Sequence, residues 1–242
     1  MPSLNITLRG HSTKRRYPER AAVHLTIQSR GESEDAVTNK AAETCMDLTG
    51  FLVPLCNEEV NEDTAMARSN TGAVSTFTAR NIYLAATEPD WYDPEPTDDI
   101  DPNRPRVYHA VIVISAIFSD FSVMKRFIEK TDDHANVKLK SISWFLTDET
   151  KDELGVGLRR EAVLDAVAKA NQYAEAVGFE DVTPVHIREI QPDVDSDQRQ
   201  KSMYRHSSGV DLVPRDIVLR CCVEVAFESG CEIESTDRSG DT

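Results

Sequence analysis

Residues 137–178 have the sequence VKLKSISWFLTDETKDELGVGLRREAVLDAVAKANQYAEAVG, and this stretch decides the fold. Apolar and polar residues alternate from Val137 to Thr147, which is the pattern of a half-buried β-strand. Beyond it, apolar residues recur every three or four positions as far as Gly178, which predicts a long amphipathic helix that stops at a glycine. The stretch therefore indicates a fold that uses both strands and helices.

Similar patterns extend over the rest of the chain. Alternation predicts further strands over residues 3–13, 21–31, 72–86, 106–118, 182–190 and 214–228, with a turn over 14–20. Two shorter helices are predicted, one from Ser33 to near Pro54 and one from Asp120 to near Thr131. The order β-β-α-β-β-α-β-α-β-β favours an α+β fold, a mostly antiparallel β-sheet with two or three helices packed on one face.

The domain organisation follows from composition along the chain. No Pro/Gly-rich linker separates two halves, so residues 1–228 are predicted to form a single domain. Segment 87–105 carries seven acidic residues between Glu88 and Asp101 and is rich in proline, which predicts a long exposed loop between two hairpin strands. Residues 191–213 are predicted to be a mobile loop and 229–242 a disordered tail.

Charge and cysteine content limit the partners and the cellular location that we expect. The 242 residues include 27 Lys and Arg against 42 Asp and Glu, for a net charge of −15. Such a surface repels nucleic acids and anionic lipids, so neither is an expected partner. An odd number of cysteines without CxxC spacing predicts reduced thiols. With no secretion signal and no apolar run of the roughly 18–20 residues that a membrane span needs, we expect a cytoplasmic or nuclear protein that is not secreted.

Three patterns in the same chain order resemble the SIMPL domain family. They are residues 6–10 (ITLRG) with 18–23 (PERAAV), residues 134–137 (HANV) with 142–148 (ISWFLTD), and residues 162–174 (AVLDAVAKANQYA). The resemblance covers roughly residues 4–228. The family includes bacterial periplasmic proteins linked to oxidative-stress defence, some of which form ring-like oligomers, and an animal protein that binds a kinase of innate-immune signalling.

The chain also departs from the family pattern. Gly155 and Gly157 lie where relatives have continuous helix, so a break near the start of the long helix is expected. The acidic loop is longer than in the family. Because no secretion signal is found, the periplasmic stress role is not expected to carry over, and the resemblance implies an intracellular adaptor.

No catalytic site is predicted. Gly155-Val156-Gly157 lacks the third glycine of a phosphate-binding turn, and the acidic runs at 99–103 and 193–197 lack the glycine and glutamate of a calcium loop. The histidines show no metal-ligand spacing, and no serine or cysteine has the context of a nucleophile elbow. We therefore expect no enzyme activity, no cofactor and no metal site.

Two features remain as candidate sites. Trp91 and Tyr92 lie in the acidic, proline-rich segment and are predicted to dock a partner, although they could also fold back onto the protein's own sheet. Cys221 and Cys222 face opposite sides of one strand, so Cys221 is predicted to be core and Cys222 to be a candidate reactive thiol.

The leading hypothesis is a non-enzymatic protein that acts by protein–protein contact, either as an adaptor or as a self-assembling homo-oligomeric scaffold. The alternative is a redox- or stress-responsive protein that uses Cys222 or Cys231.

Overall fold

The computed structural model describes residues 4–56, 66–68, 72–88, 105–190 and 212–229. Its contacts divide the chain into two compact units. The terminal unit comprises residues 1–17, 146–198 and 216–242, and the central unit comprises residues 18–145 and 199–215.

The described residues form two antiparallel sheets and three α-helices. The strands are β1 (Asn5–Arg16), β2 (Arg20–Gly31), β3 (Met66–Arg68), β4 (Val74–Ala79), β5 (Tyr83–Thr87), β6 (Val107–Phe118), β7 (Val137–Phe145), β8 (Val182–Ile190) and β9 (Ile217–Ser229). The helices are α1 (Glu34–Leu52), α2 (Phe121–Thr131) and α3 (Asp148–Ala176), and a 3-10 turn at Val53–Leu55 follows α1. This confirms the α+β class and the predicted element order.

The terminal unit is a three-stranded sheet in the order β1-β9-β8, with α3 packed on one face. Alternate residues of β9 are buried under the helix: Ile217, Leu219, Cys221, Val223, Val225 and Phe227. The helix contributes a narrow stripe of every fourth residue: Leu158, Ala162, Ala166, Ala170 and Ala174. The broader apolar face predicted for α3 is wrong at Tyr173 and Val177, which are 58% and 60% exposed.

Helix α3 runs without a break through Gly155 and Gly157, so the predicted interruption near its start is wrong. A Cβ atom at Gly157 would lie 2.6 Å from Lys14 Nζ, which pairs with the Glu161 carboxylate at 3.0 Å. The missing side chain therefore makes room for this lysine. The helix begins at the Thr147 cap and is followed by Gly178 with φ +87°, as the predicted glycine stop requires.

The central unit is built on a sheet in the order β3-β4-β6-β2-β7, with β5 also paired to β6. The predicted strand over 72–86 is two strands, because residues 80–82 leave the ladder between β4 and β5. Both pair antiparallel with β6, which is central as predicted. Thr87 pairs with Val107, so the strands on either side of segment 87–105 form the predicted hairpin.

Helices α1 and α2 cover one face of this second sheet. Ser33 caps α1 by accepting the Ala36 N–H, and Asp120 caps α2 by accepting the Val123 N–H, as predicted. Aromatic rings pack between these helices and the sheet, and the ring centroids of Phe127 in α2 and Phe118 in β6 are 5.5 Å apart. The opposite face of the sheet is left without a helix among the described residues.

Some predictions need correction or lie elsewhere. The turn predicted over 14–20 is shorter, because β1 continues to Arg16 and β2 begins at Arg20, and these two strands pair into different sheets. Ser229 belongs to β9 and not to the tail. Trp91, Tyr92, Cys231, residues 191–211 and the tail from 230 lie outside the described residues. The single domain over 1–228 stays a prediction.

Candidate functional site

The free edge of β1 is closed by helix α3. Arg9 and His11 turn their backbone groups away from β9 and toward the helix. The His11 N–H donates to Asp165 Oδ2 at 2.9 Å, and Lys169 Nζ donates to the Arg9 carbonyl at 3.1 Å. Covering an edge with a helix is one way in which proteins prevent edge-to-edge association of sheets.

The two helix residues at this edge also bind each other. Lys169 Nζ donates to Asp165 Oδ2 at 2.6 Å, one helical turn apart. The hydrogen bond from Lys169, followed by the one from the His11 N–H, lowers the pKa of Asp165. Asp165 is therefore a carboxylate at neutral pH and accepts both bonds at once.

Close approach of the helix depends on Gly10. A Cβ atom at this position would overlap the Ala162 carbonyl oxygen and would lie 2.8 Å from the Ala166 amide nitrogen. Two residues further along, Ser12 Oγ donates to the Leu158 carbonyl at 2.7 Å inside the core. A glycine facing an alanine stripe lets the two backbones meet, which brings Asp165 to the edge.

The other edge of the same sheet, β8, pairs with no further strand among the described residues. Of its nine residues only Val182 is buried, and Val185 and Ile187 are 53% and 51% exposed. Pro184 and a register shift between Pro184 and His186 protect the start of the strand, because proline and bulges discourage pairing. In the second half, from Ile187 to Ile190, neither proline nor a register shift occurs, and Arg188 and Glu189 are the charged residues there.

Ladder alternation shows which groups face outward at this edge. The backbone N–H and C=O groups of Arg9 and His11 point away from β9. The backbone groups of their β9 partners, Glu224 and Cys222, therefore point toward β8. These two residues pair with Arg188 and Ile190, whose backbone groups therefore bond to β9. By the same alternation the N–H and C=O groups of Ile187 and Glu189 point away from β9, where the described residues supply no partner strand.

A row of charges crosses the sheet on the face opposite α3. Arg188 donates to Glu224 Oε1 at 2.6 Å, and Arg9 donates to Glu224 Oε2 at 3.4 Å. Partial burial would raise the pKa of Glu224, but the hydrogen bonds and positive charges of Arg188 and Arg9 outweigh it and lower that pKa. The row links the closed strand β1 to the open strand β8.

The predicted reactive thiol, Cys222, lies half-buried on this face, directly opposite His11 of β1. The sequence gives no sign of a histidine near Cys222, and the register sets His11 across from it on the neighbouring strand. Cys221 faces α3 and is buried as predicted, and burial, followed by the Glu189 charge, raises the pKa of its thiol. Burial also raises the pKa of Cys45 and of Cys56.

The two strand histidines of the central unit each form a hydrogen bond within the sheet. His24 Nδ1 lies 2.8 Å from Ser115 Oγ, and His109 Nε2 lies 3.0 Å from Thr87 Oγ1. The strands around the His24–Ser115 pair contain no carboxylate that could orient a catalytic histidine. Within the described ranges no three side chains are grouped to hold a metal ion, and no helix there is long and apolar enough to cross a membrane.

Sequence reasoning missed both edge features. Asp165, Lys169 and Gly10 were noticed only as positions of a family pattern, although an Asp and a Lys four residues apart on a helix are a visible pair. Pro184 was the available sign that β8 is an edge strand, since proline is confined to edges and bulges.

The chain matches a protein-family model over most of its length. The family model SIMPL, described as a protein of unknown function (DUF541), matches residues 6–227. No curated protein matches the chain.

Proposed function

Because the chain belongs to the SIMPL family, whose function is unknown, we propose from its geometry a non-enzymatic protein that acts by protein–protein contact. The contact is the addition of a strand from another chain to the open half of β8. The single observation that supports this most strongly is the contrast within one sheet, where the β1 edge is capped by Asp165 and Lys169 and the β8 edge is not.

The open half of β8 suits an added strand. Ile187 and Glu189 present unpaired backbone groups, and in strand addition such main-chain bonds supply the affinity. The Ile187 side chain beside them is apolar and exposed. A pocket on the incoming chain that fits this side chain would give the contact its specificity. The added strand belongs either to a partner, which makes the protein an adaptor, or to a second copy, which makes it a self-assembling scaffold.

Light scattering after size exclusion separates the two versions. The variant Ile187→Lys places a charge at the edge, and Val156→Lys is the matched control, since Val156 is an exposed apolar residue of α3 in the same unit. For a scaffold, the native protein elutes as a discrete oligomer that Ile187→Lys dissociates and Val156→Lys leaves intact.

If the native protein is a monomer, the same pair of variants is used in partner capture. The adaptor version expects recovery of the partner to fall with Ile187→Lys and to stay with Val156→Lys. An oligomer or a partner complex that Ile187→Lys does not weaken would refute the use of β8.

Trp91 and Tyr92 stay a predicted docking point for a partner. The double substitution of both residues by alanine is expected to reduce partner recovery in the same capture experiment. Unchanged recovery would remove this segment from the interface while leaving the β8 proposal in place.

A second candidate function is a redox response through Cys222. Its support is the register, which sets the imidazole of His11 opposite the thiol on a face without a helix. Thiol labelling of the native protein, followed by mass spectrometry, is expected to modify Cys222 before the buried Cys221 and Cys56. Equal or absent labelling of Cys222 would end this candidate. Since Cys45, Cys56, Cys221 and Cys222 form no disulfide, a reducing location such as the cytoplasm or nucleus is proposed with it.

A further inference from the structure

A cavity of about 480 Å³ opens on the helix-free face of the central unit's sheet. It lies where β2 extends past the beginning of β7. Its lining residues are Gln28, Ser29, Arg30, His109, Ala110, Val111, Ala135, Asn136 and Lys138. The volume is within the range of roughly 300–1,000 Å³ typical of small-molecule sites.

The charges around this cavity are positive. Arg30 pairs directly with His109 across the ladder, and Lys138 pairs with Thr26, four residues before Arg30. No Asp or Glu occurs in β2, β4, β5, β6 or β7. Within the described residues neither Arg30 nor Lys138 forms an ion pair, although the chain carries 42 acidic residues to pair with them.

One wall of the cavity is held rigidly by Asn136. Its side-chain Nδ2 donates to Thr44 Oγ1 at 3.0 Å and to Ser29 Oγ at 3.4 Å. Its backbone carbonyl accepts the Gln28 N–H at 2.8 Å. These bonds tie the chain before β7 to β2 and to α1. The side-chain amide of Gln28 lies between the positions of Arg30 and Lys138 on the same face and adds a neutral donor.

A neighbouring cavity of about 470 Å³ differs in that its positive charge is paired with a carboxylate. It is lined by Lys40, Glu43, Thr44, Asp47, Asp133, His134, Ala135 and Asn136. There Asp47 accepts from Lys130 at 2.7 Å and from His134 at 2.9 Å, so the lysine meets a carboxylate of the same chain. The cations of the first cavity have no such internal partner among the described residues.

We infer that the Arg30–Lys138 cavity binds a small molecule that carries at least two carboxylate or phosphate groups. Strand geometry sets the Cα atoms of Arg30 and Lys138 about 14 Å apart, so the two side chains approach a ligand from opposite ends. An anion with one charge reaches one end only, whereas a polyvalent anion bonds to Arg30 and His109 at one end and to Lys138 at the other. Charge-assisted bonds of this kind are about twice as strong as neutral ones.

Nuclear magnetic resonance titration of the full chain tests the site, with pyrophosphate and citrate as probes and acetate as the monovalent control at constant ionic strength. Amide shifts are expected to concentrate at residues 26–31, 109–111 and 135–138. The double variant Arg30→Gln/Lys138→Gln is expected to weaken binding about tenfold or more, since two charged hydrogen-bond donors are lost. Both side chains are exposed, so the variant keeps its fold.

The matched control is Lys125→Gln/Arg126→Gln, which removes two exposed cations from α2 of the same unit and is expected to leave binding unchanged. Shifts spread over all basic residues, or equal weakening by both double variants, would mean an adventitious ion only and would overturn the inference. A hexaglutamate peptide that binds at these residues while pyrophosphate and citrate do not would overturn the assignment to a small molecule.

Discussion

The two edges of the three-stranded sheet differ in the way that they end. At β1, a helix supplies a carboxylate for an outward N–H and an ammonium for an outward carbonyl. At β8, the outward groups of Ile187 and Glu189 have no strand partner among the described residues, and the Ile187 side chain beside them is exposed. Among the described residues, α3 makes side-chain hydrogen bonds to the outward backbone groups of β1 and none to those of β8. The pairing of α3 with β1 therefore leaves β8 as the edge available to another chain.

The largest effect is expected from Gly10→Ala, which breaks the closed edge. The added Cβ meets the backbone of Ala162 and Ala166, which cannot move as a flexible side chain could. We expect the free energy of unfolding to fall by about 3 kcal/mol, as for severe overpacking of a core. Urea unfolding followed by circular dichroism measures it.

Gly50→Ala is the control for this substitution. Gly50 lies in α1, and nothing would contact its added Cβ within 4 Å. Alanine is favoured over glycine in a helix, so this variant is expected to be more stable by about 0.5–1 kcal/mol. Equal stabilities for the two variants would show that α3 does not pack on Gly10.

Proline substitutions along β8 sharpen the comparison, because they test which backbone groups face outward. Arg188→Pro removes an N–H that bonds to β9, whereas Ile187→Pro removes one that faces solvent. We expect Arg188→Pro to lower the free energy of unfolding by about 2 kcal/mol more than Ile187→Pro. Thermal unfolding of both variants measures the difference, and the reverse order would contradict the assigned alternation.

Asp165→Ala opens the β1 edge without changing the packing at Gly10. Loss of the acceptor for the His11 N–H is expected to lower the free energy of unfolding by about 1 kcal/mol. Asp165→Asn keeps an oxygen acceptor and should cost less. An open β1 edge should also increase concentration-dependent association, which light scattering detects; no increase would argue against edge protection by this residue.

The pH dependence of the Asp165 variants follows from the lowered pKa. A carboxyl group whose pKa is lower in the folded state adds stability above its unfolded pKa of about 3.9, and that stability is lost as the pH falls through the folded value. The difference in unfolding free energy between native protein and Asp165→Ala is therefore expected to be full at neutral pH and to shrink below about pH 4. Denaturant curves at several pH values check this.

The smallest effect is expected from Glu224→Gln, which interrupts the charge row between the two edges. Its arginine partners are 63% and 64% exposed, and exposed ion pairs add little stability. The pKa of Glu224 is lowered, so its contribution is present above its unfolded pKa of about 4.3 and is lost as the pH falls through the folded value. A large loss of stability at neutral pH would contradict this, because it would mean that the exposed ion pairs of Glu224 contribute strongly to folding.

Much of the fold was predictable because local patterns and tertiary burial agree. The alternation in residues 106–118, apolar on both faces, indicates a central strand, and β6 has neighbours on both sides. Ser33, Asp120 and Gly178 mark helix ends through chemistry that acts within a few residues. Patterns of this kind need no knowledge of distant contacts.

The failures arise where distant residues decide the outcome. Gly155 and Gly157 predict a weak helix start, but Lys14 fills the space at Gly157 and the helix continues. Tyr173 and Val177 match an apolar periodicity, but both are exposed, because the helix buries only every fourth residue, from Leu158 to Ala174. Strands β1 and β2 are neighbours in sequence, but β1 pairs with β9, more than 200 residues away in its register.

The sequence by itself determined the element types, their order, the helix caps and the family, because these depend on side-chain patterns within short windows. Only the tertiary structure decided which strands pair, which edge α3 protects and which charges gather beside Arg30 and Lys138. Those outcomes depend on contacts between residues far apart in the chain, such as His11 with Asp165 and Thr26 with Lys138. No local pattern encodes the partner of such a contact, so the open edge and the cationic cavity became visible only in the folded protein.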